Sequence, residues 1–413
     1  MRPASIALLH YTTSPVVGGV EEILDQQASL FLRHGHRVKV IAGRGGRTGK
    51  EYEVEINPLL DSRHPDILRI HKGIPEYRPE FRSLVDALCI NLQQALEGFD
   101  VLIAHNVLTM AYNLPLTCAL HKLADAKKIQ IVAWNHDSPF FYPGYADYLN
   151  GAPWRILKRS HPAIRYIAIS ESRKRQFLLL FGRKTRIDVI PNGIDPFQFY
   201  HLDSATARFI QESRLFDSDL LIVQPSRLHP RKNIELSIRV LRALHDRDVK
   251  ATLLVTGAYD PHENKEVGYY SRLRDLAQEL MIEEYVWIIS EDNFRSGKKL
   301  IVDRITVRDL YLIADILFLP SLQEGFGLPL LEAGLMKLPI FCSEIPPFRE
   351  IGGNDISTFG LDDPPEKIAD RILALGSRPG PPSLYRRVIR YHVWDNIYRS
   401  LLLPFINSLI SGS

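Results

Sequence analysis

The stretch DILFLPSLQEGFGLPLLEAG, residues 315–334, predicts a buried strand, a glycine-rich loop and a helix, in that order. The first apolar run has the length of a strand. Pro329 suits an early helical position, because the N–H that proline lacks would need no partner there. Residues 325–328 then form the loop before the helix, where backbone amides point toward whatever lies above the sheet. Such a strand–loop–helix unit is typical of α/β proteins.

The same unit recurs along the chain in two series of short apolar runs. The runs of the first series are residues 5–11, 37–43, 100–106, 129–136 and 166–170, and those of the second are residues 220–226, 251–257, 285–290, 315–320 and 338–343. Strands that alternate with helices indicate doubly wound, mostly parallel sheets, and two series indicate two Rossmann-like domains.

The predicted domain boundary lies in VIPNGIDPFQF, residues 189–199, which ends a strand and contains Asn-Gly and Asp-Pro turn signals. Residues 1–195 therefore form one predicted domain and residues 196–387 the other. The Pro-rich stretch 377–383 predicts a surface loop, and the tail after it predicts one or two amphipathic helices.

The composition is that of a folded protein. The 413 residues are 45% hydrophobic and 24% charged, and the net charge of +3 argues against a dedicated nucleic-acid binder. The three cysteines are widely spaced, so they form neither a disulfide framework nor a zinc site, and no metal site is expected.

No run of about 18 apolar residues is present, so no transmembrane helix is expected. The N-terminus reads as a first strand and not as a signal peptide. We expect a cytoplasmic protein, with peripheral attachment at the inner membrane face left open. The basic and apolar segment RKRQFLLLFGRKTR, residues 173–186, could contact anionic lipid, or it could be a helix with its core face inward.

Two turns that follow predicted strands are candidates for binding phosphate. Gly18 and Gly19 open a helix after the first strand, and a helix N-terminus favours an anion. A tight strand–helix turn would explain the two glycines equally. Arg227 and Lys232 flank a Pro-containing turn and could clamp a pyrophosphate, with Arg231 as a surface member, although a solvated charged loop is the alternative.

Carboxylates and aromatic residues suggest carbohydrate. Glu324 and Glu332 lie around the free amides of the opening stretch and suit the hydroxyl groups of a sugar or ribose, although Glu332 alone could simply compensate a helix dipole. His136 ends a strand and precedes an aromatic-rich loop that contains Tyr142, which suits an acceptor. His105, followed by Asn106, also ends a strand and competes with His136 for any role.

Together these motifs resemble the retaining GT-B glycosyltransferases of the family 4 type, the glycosyl transferases group 1. The resemblance runs almost end to end, and its last block contains the E-x7-E pattern as Glu324 and Glu332 with the Gly-Phe-Gly turn intact. The matching segments are GGVEEILDQQASLFLRHGHRVKVIAG, VIPNGID, SRLHPRKNIELSI and DLYLIADILFLPSLQEGFGLPLLEAGLMKLPIFCSEIPPFREIGG.

The resemblance implies a GT-B fold, in which two Rossmann-like domains face a central cleft. Residues from about 388 to 413 would cross back to the N-terminal, acceptor-side domain, and residues 196–387 would bind the donor. His136, Glu324, Arg227 and Lys232 would be catalytic. The donor would be bound by Gly18, Gly19, Arg227, Lys232, Glu324, Gly325, Phe326, Gly327, Leu328 and Glu332. His105, Asn106 and Tyr142 are the acceptor-side candidates.

The implied reaction moves a hexose from a nucleotide diphosphate sugar to an acceptor hydroxyl, with retention and with no metal or other cofactor. UDP-glucose and GDP-mannose remain open as donors, and a small metabolite, a lipid-linked sugar or a glycan as acceptors. The basic segment 291–306 is longer than usual near the nucleotide base, so the base is undecided, as is the oligomeric state. The alternatives are a sugar-nucleotide-binding regulatory protein, an epimerase and a phosphorylase.

Overall fold

The computed structural model of the chain describes residues 3–46, 49–71, 78–257, 268–294, 296–376 and 381–411. The chain divides into two units. The first unit consists of Met1–Asp195 together with His392–Ser413, and the second unit consists of Pro196–Tyr391. Each unit is built on one parallel sheet with helices, which confirms the predicted α/β class.

The sheet of the first unit has seven parallel strands. They are β1 (Ser5–Thr12), β2 (Arg37–Arg44), β3 (Glu53–Ile56), β4 (Val101–His105), β5 (Gln130–Asn135), β6 (Ile164–Ala168) and β7 (Ile187–Val189). Their order is β3-β2-β1-β4-β5-β6-β7. The α-helices in the N-terminal segment of this unit are α1 (Gly19–Arg33), α2 (Pro65–His71), α3 (Arg78–Ala95), α4 (Leu114–Ala126) and α5 (Glu171–Phe181).

The sheet of the second unit has six parallel strands. They are β8 (Leu220–Gln224), β9 (Ala251–Val255), β10 (Val286–Ile288), β11 (Ile316–Leu319), β12 (Ile340–Ser343) and β13 (Ser357–Phe359), in the order β10-β9-β8-β11-β12-β13. The helices of this unit are α6 (Pro196–Phe199), α7 (Ser204–Glu212), α8 (Ile234–His245), α9 (Tyr269–Glu279), α10 (Arg304–Ile313), α11 (Leu328–Leu335), α12 (Pro346–Gly352), α13 (Pro365–Gly376) and α14 (Pro381–Tyr391).

Both faces of the first sheet are covered, which explains why its central strands are continuous apolar runs. Successive residues of β1 alternate between the faces: Ala7 and Leu9 belong to the core shared with α3 and α4, while Ile6 and Leu8 belong to the core shared with α1. The core on the second face also contains Trp394, a buried residue from the C-terminal segment of the chain.

Two strands at sheet edges, β3 and β13, escaped the sequence analysis. Glu53–Ile56 alternates charged and apolar residues and is partly exposed. Ser357–Phe359 has only three residues, of which Phe359 alone is buried. An edge strand is exposed on one side, so it lacks the continuous apolar run that marks a central strand.

The C-terminal residues return to the first unit at His392. Ile194 and Val393 form a parallel bridge, and the Ile194 N–H donates to the His392 carbonyl at 2.7 Å. The short helices α15 (Trp394–Ile397) and α16 (Leu403–Ile410), joined by a π turn at Tyr398–Leu402, follow. The predicted loop 377–383 is corrected in part: residues 377–380 lie outside the described residues, but Pro381 already begins helix α14.

Candidate functional site

In the second unit, the predicted site residues lie where β8 and β11 end. These two strands are neighbours, so the loops that follow them meet at the carboxyl edge of the sheet. Lys232 closes a 3₁₀ turn, Pro230–Lys232, after β8, and Glu324 follows β11. Arg227 is exposed in the same loop as Lys232.

Lys232 and Glu324 form an ion pair at this edge. Their side chains are only 13% and 12% exposed, so solvent screens the pair weakly. The Ser321 hydroxyl donates to Glu324 Oε1 at 2.7 Å. Arg231 Nη1 lies 3.6 Å from Glu324 Oε2, so Arg231 also belongs to this cluster, as its more exposed cation.

Buried polar side chains fix the Lys232 turn. The amide of Gln224, at the end of β8, donates to the Lys232 carbonyl at 3.0 Å, and the Ser237 hydroxyl donates to Gln224 Oε1 at 2.6 Å. The Leu322 N–H donates to the Arg231 carbonyl at 2.8 Å, which joins the two loops directly. The ion pair is therefore presented by two loops that are hydrogen-bonded to each other.

The glycine-rich loop leads into α11 as the opening stretch predicts. The helix begins at Leu328, and Gly327 precedes it with a φ of 108°, which favours glycine. A Cβ atom added at Gly327 would also lie 3.1 Å from the Phe348 ring. Glycine has no side chain to cap the helix, so the first amide of α11 is left for another acceptor, and Phe326 beside it is exposed.

Glu332, within α11, has a partner that the sequence analysis missed. The hydroxyl of Tyr311, a buried residue of α10, donates to Glu332 Oε2 at 2.9 Å. Burial of the phenol, with the nearby Glu332 charge, raises the pKa of Tyr311. The phenol therefore stays protonated and orients one carboxylate oxygen, while the other can accept from a ligand hydroxyl.

In the first unit, Gly18 precedes α1 in an extended conformation with a φ of −174°. The Glu21 carboxylate lies directly over it, so that a Cβ atom at position 18 would overlap Glu21 Oε2, whereas Gly19 has open space around its Cα. The Thr12 hydroxyl donates to Glu21 Oε1, and His10 Nε2 lies 3.8 Å from the same oxygen. A side chain at position 18 would therefore displace the Glu21 carboxylate from its contacts with Thr12 and His10.

His136 is buried just beyond β5, and both of its ring nitrogens have partners. Nδ1 lies 3.3 Å from the amide nitrogen of Asn192, and Nε2 lies 3.4 Å from His105 Nδ1. Burial, with repulsion from His10, lowers the pKa of His136 to about 3. The ring is therefore neutral at neutral pH, its two nitrogens face Asn192 and His105, and its low pKa makes it a weak proton acceptor.

Asn106 positions the backbone around His136. It has a φ of 56°, and its Oδ1 accepts from the His136 N–H at 3.1 Å and the Asp137 N–H at 2.9 Å. Tyr142 is exposed: its hydroxyl donates to Asp137 Oδ2 at 2.9 Å and lies 3.0 Å from Arg173 Nη2. The acceptor-side candidates His105, Asn106 and Tyr142 are thus neighbours of His136 or of Asp137.

The sequence analysis missed several partners, namely His10, Glu21, Asn192, Tyr311 and the contact of Arg231. His10 was identifiable as a polar residue inside an apolar strand, and Glu21 as an acid in the first turn after the paired glycines. Nothing in the sequence points to Tyr311 as the partner of Glu332, because α10 and α11 are separated by a strand.

The two basic segments have distinct structures. In 173–186, Phe177 is buried and Leu179 is exposed, so this part of α5 has its core face inward, and Arg183 and Lys184 lie exposed after it. In 291–306, residue 295 lies outside the described residues, Phe294 is buried and Ile301 is exposed. Within the described ranges, no helix is long and apolar enough to span a bilayer, and no cluster of three or more His, Cys, Asp or Glu side chains could hold a metal ion.

Comparisons with known proteins cover both units. The family model described as Glycosyltransferase Family 4 matches residues 17–197, and that described as Glycosyl transferases group 1 matches residues 206–392. Mannosylglucosylglycerate synthase of Thermotoga maritima is 25% identical over an alignment of 431 positions. The alignment covers 94% of this chain and 94% of that protein.

Mannosylglucosylglycerate synthase of Petrotoga mobilis is 23% identical over 397 residues, which cover 90% of this chain and 87% of that protein. Among solved structures, Anabaena HepE in complex with UDP is 18% identical, with a TM-score of 0.37, over 98% of this chain and 100% of that chain.

Proposed function

We propose, on the premise that the chain belongs to the GT-B glycosyltransferases of the family 4 type, that it transfers a hexose from a nucleotide diphosphate sugar to a hydroxyl group of an acceptor. The observation that carries this proposal is the Lys232–Glu324 ion pair beside the start of α11. A cation, a carboxylate and the first amide of a helix meet at the same edge of the second sheet. This combination suits a ligand that has both phosphate and hydroxyl groups.

The proposed donor contacts follow from the charges. Arg227 and Lys232 would bind the diphosphate, and the amides of residues 325–328 would add hydrogen bonds. When the donor binds, Lys232 would exchange the Glu324 carboxylate for a phosphate oxygen. Glu324 would then be available to accept hydrogen bonds from sugar hydroxyls. Glu332, oriented by Tyr311, would accept from the ribose.

The proposed reaction breaks the bond between the anomeric carbon and the diphosphate oxygen, which keeps the electron pair. A new bond forms between that carbon and the acceptor oxygen, on the same face, and the acceptor proton passes to the departing phosphate oxygen. The configuration is thereby retained. Negative charge grows on the leaving group, and Lys232 with Arg227 would stabilise it in place of a metal ion.

Mannose is the first choice of sugar and GDP-mannose the first choice of donor. Two relatives that match over most of their length are named for the synthesis of mannosylglucosylglycerate, a product that contains mannose and glucose. The same name favours a small hydroxylated metabolite as acceptor. UDP-glucose is the second donor, and a lipid-linked sugar or a glycan are the other acceptors.

A panel of nucleotides and nucleotide sugars tests the proposal. We expect GDP and GDP-mannose to raise the melting temperature more than UDP and UDP-glucose, and EDTA to leave transfer unchanged. Mass spectrometry should then show one added hexose on the acceptor, with the anomeric configuration of the donor by NMR. Donor binding with no release of nucleoside diphosphate, whichever acceptor is offered, would instead indicate a sugar-nucleotide-binding regulatory protein.

A further inference from the structure

We infer that Asn192 is a positioning residue that holds the neutral ring of His136 in the Nε2–H tautomer, so that His136 meets a substrate as a hydrogen-bond donor and not as a base. Asn192 lies between β7 and the end of the first unit, 56 positions from His136 in the chain. Only the effect on turnover rests on the proposed function, because the tautomer is a property of the first unit alone.

The orientation of the Asn192 amide follows from Trp134. The indole nitrogen Nε1 of Trp134 lies 3.3 Å from Asn192 Oδ1. An indole N–H can donate but cannot accept, so the amide oxygen must face Trp134. The amide nitrogen is thereby directed at His136 Nδ1, at 3.3 Å, and this choice between the two ends of the amide is fixed by chemistry.

The orientation of the Asn192 amide determines which ring nitrogen of His136 carries the proton. Because the amide N–H donates to Nδ1, that nitrogen must present its lone pair, and the single proton of a neutral imidazole resides on Nε2. Nε2 lies 3.4 Å from His105 Nδ1, which then accepts, so the proton of His105 resides on its own Nε2. Trp134, Asn192 and His136 thus donate in one direction, and the series ends at His105, whose buried Nε2 has no hydrogen-bond partner within the described part of the chain.

The groups that face His136 keep the ring neutral. His105 contacts it from β4, and His10 from β1 donates through Nδ1 to the His105 carbonyl at 2.8 Å. Glu21 of α1, the nearest acid to His10, is 3.8 Å from His10 Nε2. Asp137, the next residue along the chain, is ion-paired with Arg173. Burial lowers the pKa values of His10, His105 and His136, so no second charge forms beside the ring.

The C-terminal return of the chain holds Asn192 in place. A Cβ atom at Gly193 would lie 2.6 Å from the Trp394 ring, so only glycine permits this approach, and Gly193 does not have a positive φ. Trp394 is in turn fixed by its indole N–H, which donates to Gln26 at 2.6 Å. The Asn-Gly pair that looked like a turn signal is therefore a packing contact that positions Asn192.

The tautomer makes His136 Nε2–H available as a hydrogen-bond donor to a substrate. The contact of His136 Nε2 with His105 is long, so the same N–H can turn to a substrate oxygen while Asn192 keeps the tautomer unchanged. A hydroxyl or phosphate oxygen that reaches His136 would find a donor that is already neutral and oriented. His136 would then bind and orient substrate, and the departing phosphate would remain the acceptor of the proton.

The direct test is NMR of the full-length wild-type protein with ¹⁵N-labelled histidine. The His136 signals are assigned by their loss in His136→Gln. We expect an unprotonated Nδ1 and a protonated Nε2 across the neutral pH range. A protonated Nδ1 would overturn the inference. This measurement needs neither substrate nor turnover, so it stands apart from a failure to find the donor.

The variant Asn192→Asp should reverse the tautomer of His136. A carboxylate accepts from Trp134 and also from His136, which should move the ring proton to Nδ1 and lower kcat by about 10²-fold, with little change in donor KM. The same chemical change at an exposed turn of the second unit, Asn354→Asp, is the control and should leave kcat and the His136 signals unchanged. A folded Asn192→Asp protein whose Nδ1 remains unprotonated would also contradict the inference.

Discussion

The Lys232 ammonium and the Glu324 carboxylate form an ion pair although they are 92 positions apart in the chain. They meet because β8 and β11 are neighbours in a parallel sheet and the loops after them share one edge. Both side chains are largely removed from solvent, so each charge depends on the other, and the effects of replacing either one should be large.

Replacement of Lys232 by alanine should reduce turnover by about 10²-fold to 10³-fold, because the charge that stabilises the departing diphosphate is lost. The measurement is kcat with saturating donor and acceptor, with circular dichroism to check the fold. Arg239→Ala, which removes an exposed cation on α8, is the control and should not alter turnover. Near-normal kcat in Lys232→Ala would exclude the phosphate role.

Replacement of Tyr311 by phenylalanine should weaken donor binding about tenfold, because Glu332 loses a hydrogen bond of about 1.5 kcal/mol that orients its carboxylate. The effect should be on the donor KM and on the Kd of the free nucleotide, with kcat nearly unchanged. Tyr385→Phe removes a comparable hydroxyl, which donates to the Ile313 carbonyl at 2.7 Å. Equal KM values for the two variants would show that Glu332 is not at the donor.

Two glycines of the opening stretch should differ in their tolerance of alanine. Gly327→Ala combines a positive φ of 108° with a Cβ position 3.1 Å from Phe348, and should lower the free energy of unfolding by about 1–2 kcal/mol. Gly325→Ala meets no atom within 4 Å and should change it by less than about 0.5 kcal/mol. Urea titration measures both, and the reverse ranking would contradict the loop geometry.

The first unit should lose stability in mild acid. Burial lowers the pKa of His71 and of His121 to about 4 from an ordinary value of 6.5. Between these pH values the unfolded chain binds more protons than the folded chain, so stability is complete above about pH 6.5 and falls as the pH drops toward 4. Each histidine contributes on the order of 3 kcal/mol to this loss.

Urea midpoints followed by tryptophan fluorescence at several pH values measure this effect. His121→Gln should flatten the pH dependence, because glutamine takes up no proton. His201→Asn, at an exposed position in the second unit, is the matched control and should leave the slope as it is in the wild type. An unchanged slope in His121→Gln would mean that other groups bind the protons.

The central strands were predictable because their signal is local. A strand buried on both faces must be a short apolar run, and every such run in both series became part of a strand. The edge strands β3 and β13 were not predictable in this way, because β3 is partly exposed and alternates charged with apolar residues and β13 has only one buried residue. The candidate site residues were predictable for a similar reason, because glycines, prolines and charged residues lie in the turns directly after the strands.

The sequence by itself determined which segments are strands, which turns follow them and which of those turns contain cations, carboxylates and glycines. Only the tertiary structure decided that Lys232 meets Glu324, that Tyr311 orients Glu332 and that Asn192 faces His136. The reason is physical. Hydrophobic burial is non-directional and depends on composition over a few residues, whereas a hydrogen bond needs two atoms within about 3 Å, and only the order of strands in the sheet brings distant residues that close.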